Sequence, residues 1–397
     1  MGARIRLARE RVGMSRRVLG GLVDRSAEWV KAVETGRLQT PKLQMLTKIA
    51  HALDIRDLAE LTGNGEAVSV SRFAPAVAHA ALHEVQAALT EYRLDSDSRP
   101  VDLAHLRERL AAAWKVRHAS PDHRTQLGRL LPGLIRDAQR AVRVRHGEDR
   151  REARRALAGV YRLADFYVAF QPAPELVWLV ADRAVTEGQE ADDPYEMACG
   201  AWALVQALRE AGRWEEAISV AHGGMAQIEP YLEPAPDDWH GIVGALHAEN
   251  ALTYARRGRH GEAWSHWEKA HHIARRLGPQ YRHVQTSFGL PVMKANAVTL
   301  GVELRRDGEA RRAADSAPEE IASIPRRARH LIEVARVHAL QGDFDAVLAT
   351  LDLSERTAPE TARYNGWARE LGHNLLDRPP SGKAAAARSL ASRIGVH

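Results

Sequence analysis

Twelve lysines and arginines crowd the first 63 residues, among them Arg16, Arg17, Arg25, Lys31, Arg37 and Lys42, against seven acidic side chains. The rest of the 397-residue chain balances at 44 of each sign, so the formal charge of +5 resides in this short segment. Positive charge concentrated in one place suits a polyphosphate, because each phosphate neutralised by Lys or Arg releases condensed counterions. Other chemistries are poorly supplied. His260, His266, His271 and His272 share one stretch, yet no two have the i, i+4 spacing that sets two imidazoles on one ligand face of a helix. The single cysteine, Cys199, lies in the apolar run MACGAWALV and reads as a small core residue; alone it can form neither an intramolecular disulfide nor a thiolate cage. Glycine-rich phosphate loops, nucleophile elbows and Cys-His pairings are absent from the sequence. No catalytic residue, metal or cofactor is expected, and the chain does not read as an enzyme.

These side chains must be carried by helices. Apolar residues make up 45% of the chain but aromatics only 6%, so the core is built of Ala, Leu and Val, and an all-α fold is expected in two or three domains. No apolar stretch approaches the roughly 20 residues that cross a bilayer, and MGARIRLARERVG lacks the apolar core of a signal peptide. A cytoplasmic protein without membrane contact is expected.

Punctuation divides residues 1–63 into five short helices. Ile5, Leu7, Ala8 and Val12 mark the first, which Gly13 ends; Ser15 caps a second, SRRVLGGLV; Asp24-Arg25 turns the chain; Ser26 caps a third, AEWVKAVE, which stops at Thr35-Gly36. Pro41 opens a fourth, KLQMLTKIAHAL, and IRDLAELTG forms a short fifth. The stretch Met14–Asp54 resembles the lambda-repressor/Cro-like (XRE) helix-turn-helix family at the Ser15 cap, Leu19 and Gly20, Val30 and Val33, and the Glu34-Thr35-Gly36 stop. The resemblance implies that double-stranded DNA is the partner, with the third helix in the major groove and the start of the second, Ser15, Arg16 and Arg17, against phosphate. Ala27, Glu28, Lys31 and Ala32 then fall at base-reading positions: Glu28 to accept from cytosine N4, Lys31 to donate to guanine, the alanines to meet thymine methyls. Ser26, Trp29, Arg25, Arg37 and Lys42 complete the expected interface, Trp29 as a packing or backbone contact. Arg9 and Glu34 match family positions that form a buried ion pair.

GNGEAVSVSRFAP supplies a linker over 64–75, and amphipathic patterns at about 76–93, 101–117 and 123–146 form a connecting region over 76–150. Farther on, AGRWEEAISVA, RGRHGEAWSHWEKA, DGEARRAADSA and QGDFDAVLATL align on Gly212, Gly258, Gly308 and Gly342, the last two 34 residues apart. They resemble tetratricopeptide (TPR) repeats, which implies an α-solenoid over 151–378, with 379–397 as a cap or loose tail. The family geometry places Gln206, Arg209, Glu249, Arg256, Arg305, Arg329, Glu333 and Arg336 on a concave face, where arginines could clamp a carboxylate of a peptide, a small acidic ligand or a protein partner. An XRE domain joined to such an array resembles regulators of actinomycete-like bacteria, and TSFGLPV at 286–292 is similar to a Phe-Gly-Pro-type loop common among them. The reading is a homodimeric, ligand-tuned transcriptional regulator. The alternative is a TPR interaction scaffold whose DNA contact is incidental or lost; an antitoxin or phage-type repressor would not account for so long a helical region.

Overall fold

Two helices of the N-terminal region begin where a serine can satisfy amides that have no partner within the first turn. The computed structural model describes residues 1–38, 41, 43–53, 55, 58–62, 78–91, 100–314 and 320–396. In it α1 spans Gly2–Arg11, α2 Arg16–Leu22, α3 Ala27–Glu34, α4 Leu43–Ala52 and α5 Ala59–Thr62. Ser15 Oγ accepts from the Val18 amide at 3.2 Å and Ser26 Oγ from that of Trp29 at 3.1 Å. Asp24 turns α2 into α3 with φ at 57°, a left-handed conformation that a short polar side chain tolerates. Gly20 is needed at this corner, because a Cβ there would stand 2.5 Å from the Arg25 carbonyl oxygen. Ile5, Leu19, Val23, Val30, Val33, Ile49, Leu53 and Leu61 fill the core. The fifth helix is a single turn, shorter than its apolar pattern suggested, although Ile55 and Leu58 still bury their side chains. The proposed 64–75 linker and Lys42 lie outside the described residues.

Contacts divide the chain into Met1–Pro75 and Ala76–His397. The second unit runs through α6 (Leu82–Thr90), α7 (Leu103–Ala119), α8 (His123–Val144), α9 (Gly147–Val168), α10 (Pro174–Glu190), α11 (Pro194–Glu210), α12 (Trp214–Ile228), α13 (Asp237–Arg256) and α14 (His260–Leu277). It continues through α15 (Leu290–Glu303), α16 (Asp307–Ala314), α17 (Ile324–Leu340), α18 (Phe344–Thr357), α19 (Pro359–Tyr364), α20 (Gly366–Asp377) and α21 (Ala384–Arg393). Among the described residues the structure is all-helical, and successive helices pack in antiparallel pairs, a solenoid-like arrangement.

One turn recurs along this stack. Asp192, Gly212, Gly258, Arg305 and Gly342 all have φ between 53° and 73°. In each case the next amide reaches back to a carbonyl of the preceding helix, as Arg213 does to Leu208, Arg259 to Tyr254, Arg306 to Gly301 and Asp343 to His338. Gly308, aligned on sequence with the other glycines, instead lies inside α16, and Arg305 occupies the turn. The 34-residue interval therefore does not separate equivalent turns. A non-glycine residue in the left-handed region concealed the true register.

Two expected boundaries also move. Position 150/151 falls within α9, whose acidic first turn, Glu148 and Asp149, favours helix initiation, so the supposed connecting region shares one continuous core with α9 and α10. The alanine-rich segment expected as a loose tail forms α21 and buries Ala387, Leu390, Ala391, Ile394 and Val396.

The stack returns on itself. The Glu360 carboxylate accepts from the Arg124 amide at 2.6 Å and the Thr125 amide at 3.2 Å, capping the start of α8 from α19. His118 Nε2 donates to the Val284 carbonyl at 2.9 Å, and its Nδ1 accepts from Ser323 Oγ at 3.0 Å. α7 and α8 meet α17 and α19, and the helices surround a cavity that is partly open to the surface.

Candidate nucleic-acid interface and a helical cavity

The inner face of α3 buries Val30, Val33 and Glu34. Its outer face is consequently fixed: Glu28 and Lys31 are exposed, Ala27, Trp29 and Ala32 half-buried. Arg17, Arg25, Ser15, Ser26 and Arg37 are exposed nearby in sequence. Trp29 packs partly against the core, with the Arg25 guanidinium 5.8 Å from its ring centroid, which fits the packing role read from the sequence. Arg25 also donates to the Asp24 carbonyl at 2.8 Å.

Arg9 and Glu34 pair as expected, Nε to Oε1 at 2.5 Å, with the Glu34 side chain wholly buried. Burial opposes ionisation of Glu34, but hydrogen bonds from Arg9 and Arg16 outweigh it and hold the carboxyl below its ordinary range. The second of these bonds was not foreseen. Arg16 Nε lies 2.7 Å from Glu34 Oε2, so Arg16 is half-buried and turned toward the domain interior, and Arg17 is left as the exposed arginine at the start of α2. Sequence separation hid the contact, since its partners stand 18 positions apart.

In the second unit the cavity measures about 450 Å³. Of the residues expected on a concave face, Gln206, Arg209, Glu249, Arg329 and Glu333 line it. Arg256, Arg305 and Arg336 do not. Arg256 is held 2.7 Å from Glu210. Arg336 lies between Glu303 at 3.0 Å and Glu333 at 2.7 Å, with its guanidinium 3.5 Å over the Trp367 ring. Arg305 forms the α15–α16 turn. Arg209, though in the lining, is neutralised by Glu249.

Other cations were not singled out from the sequence: Arg117 from α7, Arg124 from α8 and Arg326 from α17 all face the cavity. Burial, reinforced by neighbouring guanidiniums, pulls Arg117 down to about 9 and Arg326 to about 10, while for Arg124 burial lowers the value to about 10 against the pull of Glu360. All three stay charged at neutral pH. Asp165, 6% exposed, also lines the cavity, and burial, aided by the charge of Glu249, pushes its carboxyl up to about 7.

Elsewhere His247 and His266 approach to 3.1 Å between their Nδ1 atoms, and the His222 ring stacks on His266. These residues come from α12, α13 and α14, so no local spacing announced them. Among the described residues no group of His, Cys, Asp and Glu is arranged to hold a metal ion, and no helix is long and apolar enough to cross a membrane. Cys199 is buried, and burial raises its thiol to about 12, in keeping with a core residue.

A family model for a helix-turn-helix domain matches residues 1–62, the five-helix region described above. That segment is a helix-turn-helix domain, the class of module that carries a recognition helix to DNA. No curated protein matches the chain.

Proposed function

We propose that the chain is a sequence-specific transcriptional regulator of the XRE type, acting as a homodimer, whose TPR-like unit tunes DNA binding by holding a ligand in its cavity. The observation that carries this reading is the outer face of α3: Glu28 and Lys31 are solvent-exposed, in a domain that matches the helix-turn-helix model. With α3 in the major groove, Lys31 reads guanine, Glu28 reads cytosine, and Ala27 and Ala32 meet thymine methyls. Arg17 and the exposed Arg25 and Arg37 supply phosphate contacts. A dimer follows from avidity, since one small domain buries too little surface for operator-level affinity. No catalytic activity is assigned.

Arg16 is a poor probe of this interface, because its removal also disturbs Glu34. Arg17→Ala and Lys31→Ala separate the two kinds of contact. After fragments of genomic DNA are selected with the full chain, Arg17→Ala should weaken binding to all sequences and reduce the salt slope by about one. Lys31→Ala should cost about 1–3 kcal/mol and relax preference at one base pair. Wild-type affinity and salt dependence in both variants would reject the assignment.

A further inference from the structure

The cavity holds cations that the protein does not neutralise. Arg209 has Glu249, and Arg124 has Glu360 nearby. Arg117 and Arg329, by contrast, form no hydrogen bond or ion pair among the described residues, and Arg326 donates to the Thr286 carbonyl at 2.7 Å; the lining carboxylates Glu210 and Glu249 act on Arg329 and Arg326 only through space, and Arg117 has no such counter-charge. The Nε and Nη1 atoms of Arg117 are buried without a hydrogen-bond partner. Burying such donors without a partner in the protein is costly, and three like charges around one space add repulsion. The side chains are set for something that brings negative charge.

The wall beside them is apolar. The Arg117 guanidinium lies 4.5 Å from the Phe166 ring centroid, and that ring is 5.7 Å from Trp202. Trp178 and Phe288 also line the cavity. An aromatic surface thus runs directly from the cationic cluster, and a volume of about 450 Å³ suits a small molecule.

We infer that the cavity takes a small amphiphilic anion, an aryl or acyl carboxylate or phosphate, with its charged head at Arg117, Arg326 and Arg329 and its apolar body along Phe166 and Trp202. The inference names the ligand class of the site proposed above as a sensor, and so rests on that reading only for its consequence at DNA.

The full chain is titrated calorimetrically with 2-naphthoate and 1-naphthyl phosphate, with 2-naphthol as the uncharged ring and inorganic phosphate as the charge without a ring. Both naphthyl anions should bind at least tenfold more tightly than either control, and the tighter of the two identifies the head group. Arg117→Met, which sacrifices no hydrogen bond, should abolish the preference for the anion while the ligand-free protein melts no lower than wild type; Arg326→Met, which gives up the bond to the Thr286 carbonyl and so should melt lower, should also abolish the preference, and its loss in both variants excludes a folding defect peculiar to one. Equal binding of naphthol and naphthoate, a preference that survives both substitutions, or no binding of either anion would overturn the inference. If the anions bind as expected but affinity for the selected DNA fragments is unchanged, the ligand class stands and the sensor reading fails.

Discussion

The two units treat arginine in opposite ways. In residues 1–62 the buried guanidinium of Arg9 meets a carboxylate, Glu34, which also receives Arg16, and the cations left over, such as Arg17, Arg25 and Lys31, face solvent. In residues 76–397 the carboxylates of Glu210, Glu249, Glu303 and Glu333 are taken up by Arg209, Arg256 and Arg336, while Arg117, Arg326 and Arg329 are left inside without such partners. Outward excess charge suits a large partner that docks from solvent. Inward excess charge suits a small one that is enclosed. Compensation, more than the number of arginines, distinguishes a structural ion pair from a binding site.

The most damaging substitution should be at the compensated pair. Glu34→Ala strands Arg9 and half-buried Arg16, and removing one partner of a buried pair costs about 3–5 kcal/mol. Hydrogen exchange should accelerate in α1–α4 and DNA binding should be lost, with protection in α9–α18 unchanged; retained protection in α1–α4 would mean that Glu34 is not the hub of this domain.

Asp165 offers a pH-dependent contrast. Its folded value of about 7 lies above the ordinary 3.8, so the folded state keeps a proton that the unfolded state releases. Stability from this site is intact below about pH 4 and declines as pH rises toward 7. Asp165→Asn should therefore raise the melting temperature at pH 8, by up to about 4 kcal/mol in free energy from a shift of this size, and the gain should shrink to nothing near pH 4. A gain independent of pH would show that the carboxyl is not the titrating group.

The smallest effects belong to the repeated turn. Arg305 adopts φ 54° where Gly258 adopts 71° in the equivalent place. Arg305→Gly should stabilise by about 0.5–1 kcal/mol, and Gly258→Ala should destabilise by a similar amount, in thermal unfolding of the full chain. Opposite signs at the two positions would establish the corrected register; equal signs would refute it.

The N-terminal domain was largely legible because its instructions are local. Ser15 and Ser26 cap helices three residues away, and Asp24 needs only its own backbone to turn the chain. Expected and observed limits of α3 coincide for that reason. The cavity was legible only in part. Glu249 and Glu333 were placed on the inner face by the resemblance to tetratricopeptide repeats, but that resemblance could not reveal that Arg256 and Arg336 are occupied by acids on neighbouring helices. Nor could it bring Arg117 on α7 to Arg326 on α17, since that meeting depends on closure between distant parts of the chain. Arg305, like Asp192, escaped because a turn that uses glycine at Gly212, Gly258 and Gly342 was read by looking for glycine.

The Glu360 cap on α8 changes how the second unit should come apart. An open array of repeats frays from its ends and adds its stability pair by pair, each repeat answering only to its neighbours. Here α8 and α19 hold each other, so the helices between them are tied at both limits, while α6 and α7 on one side and α20 and α21 on the other lie beyond this seam. Loss of the last helical pairs would expose the first, and melting becomes a shared, more nearly all-or-none event.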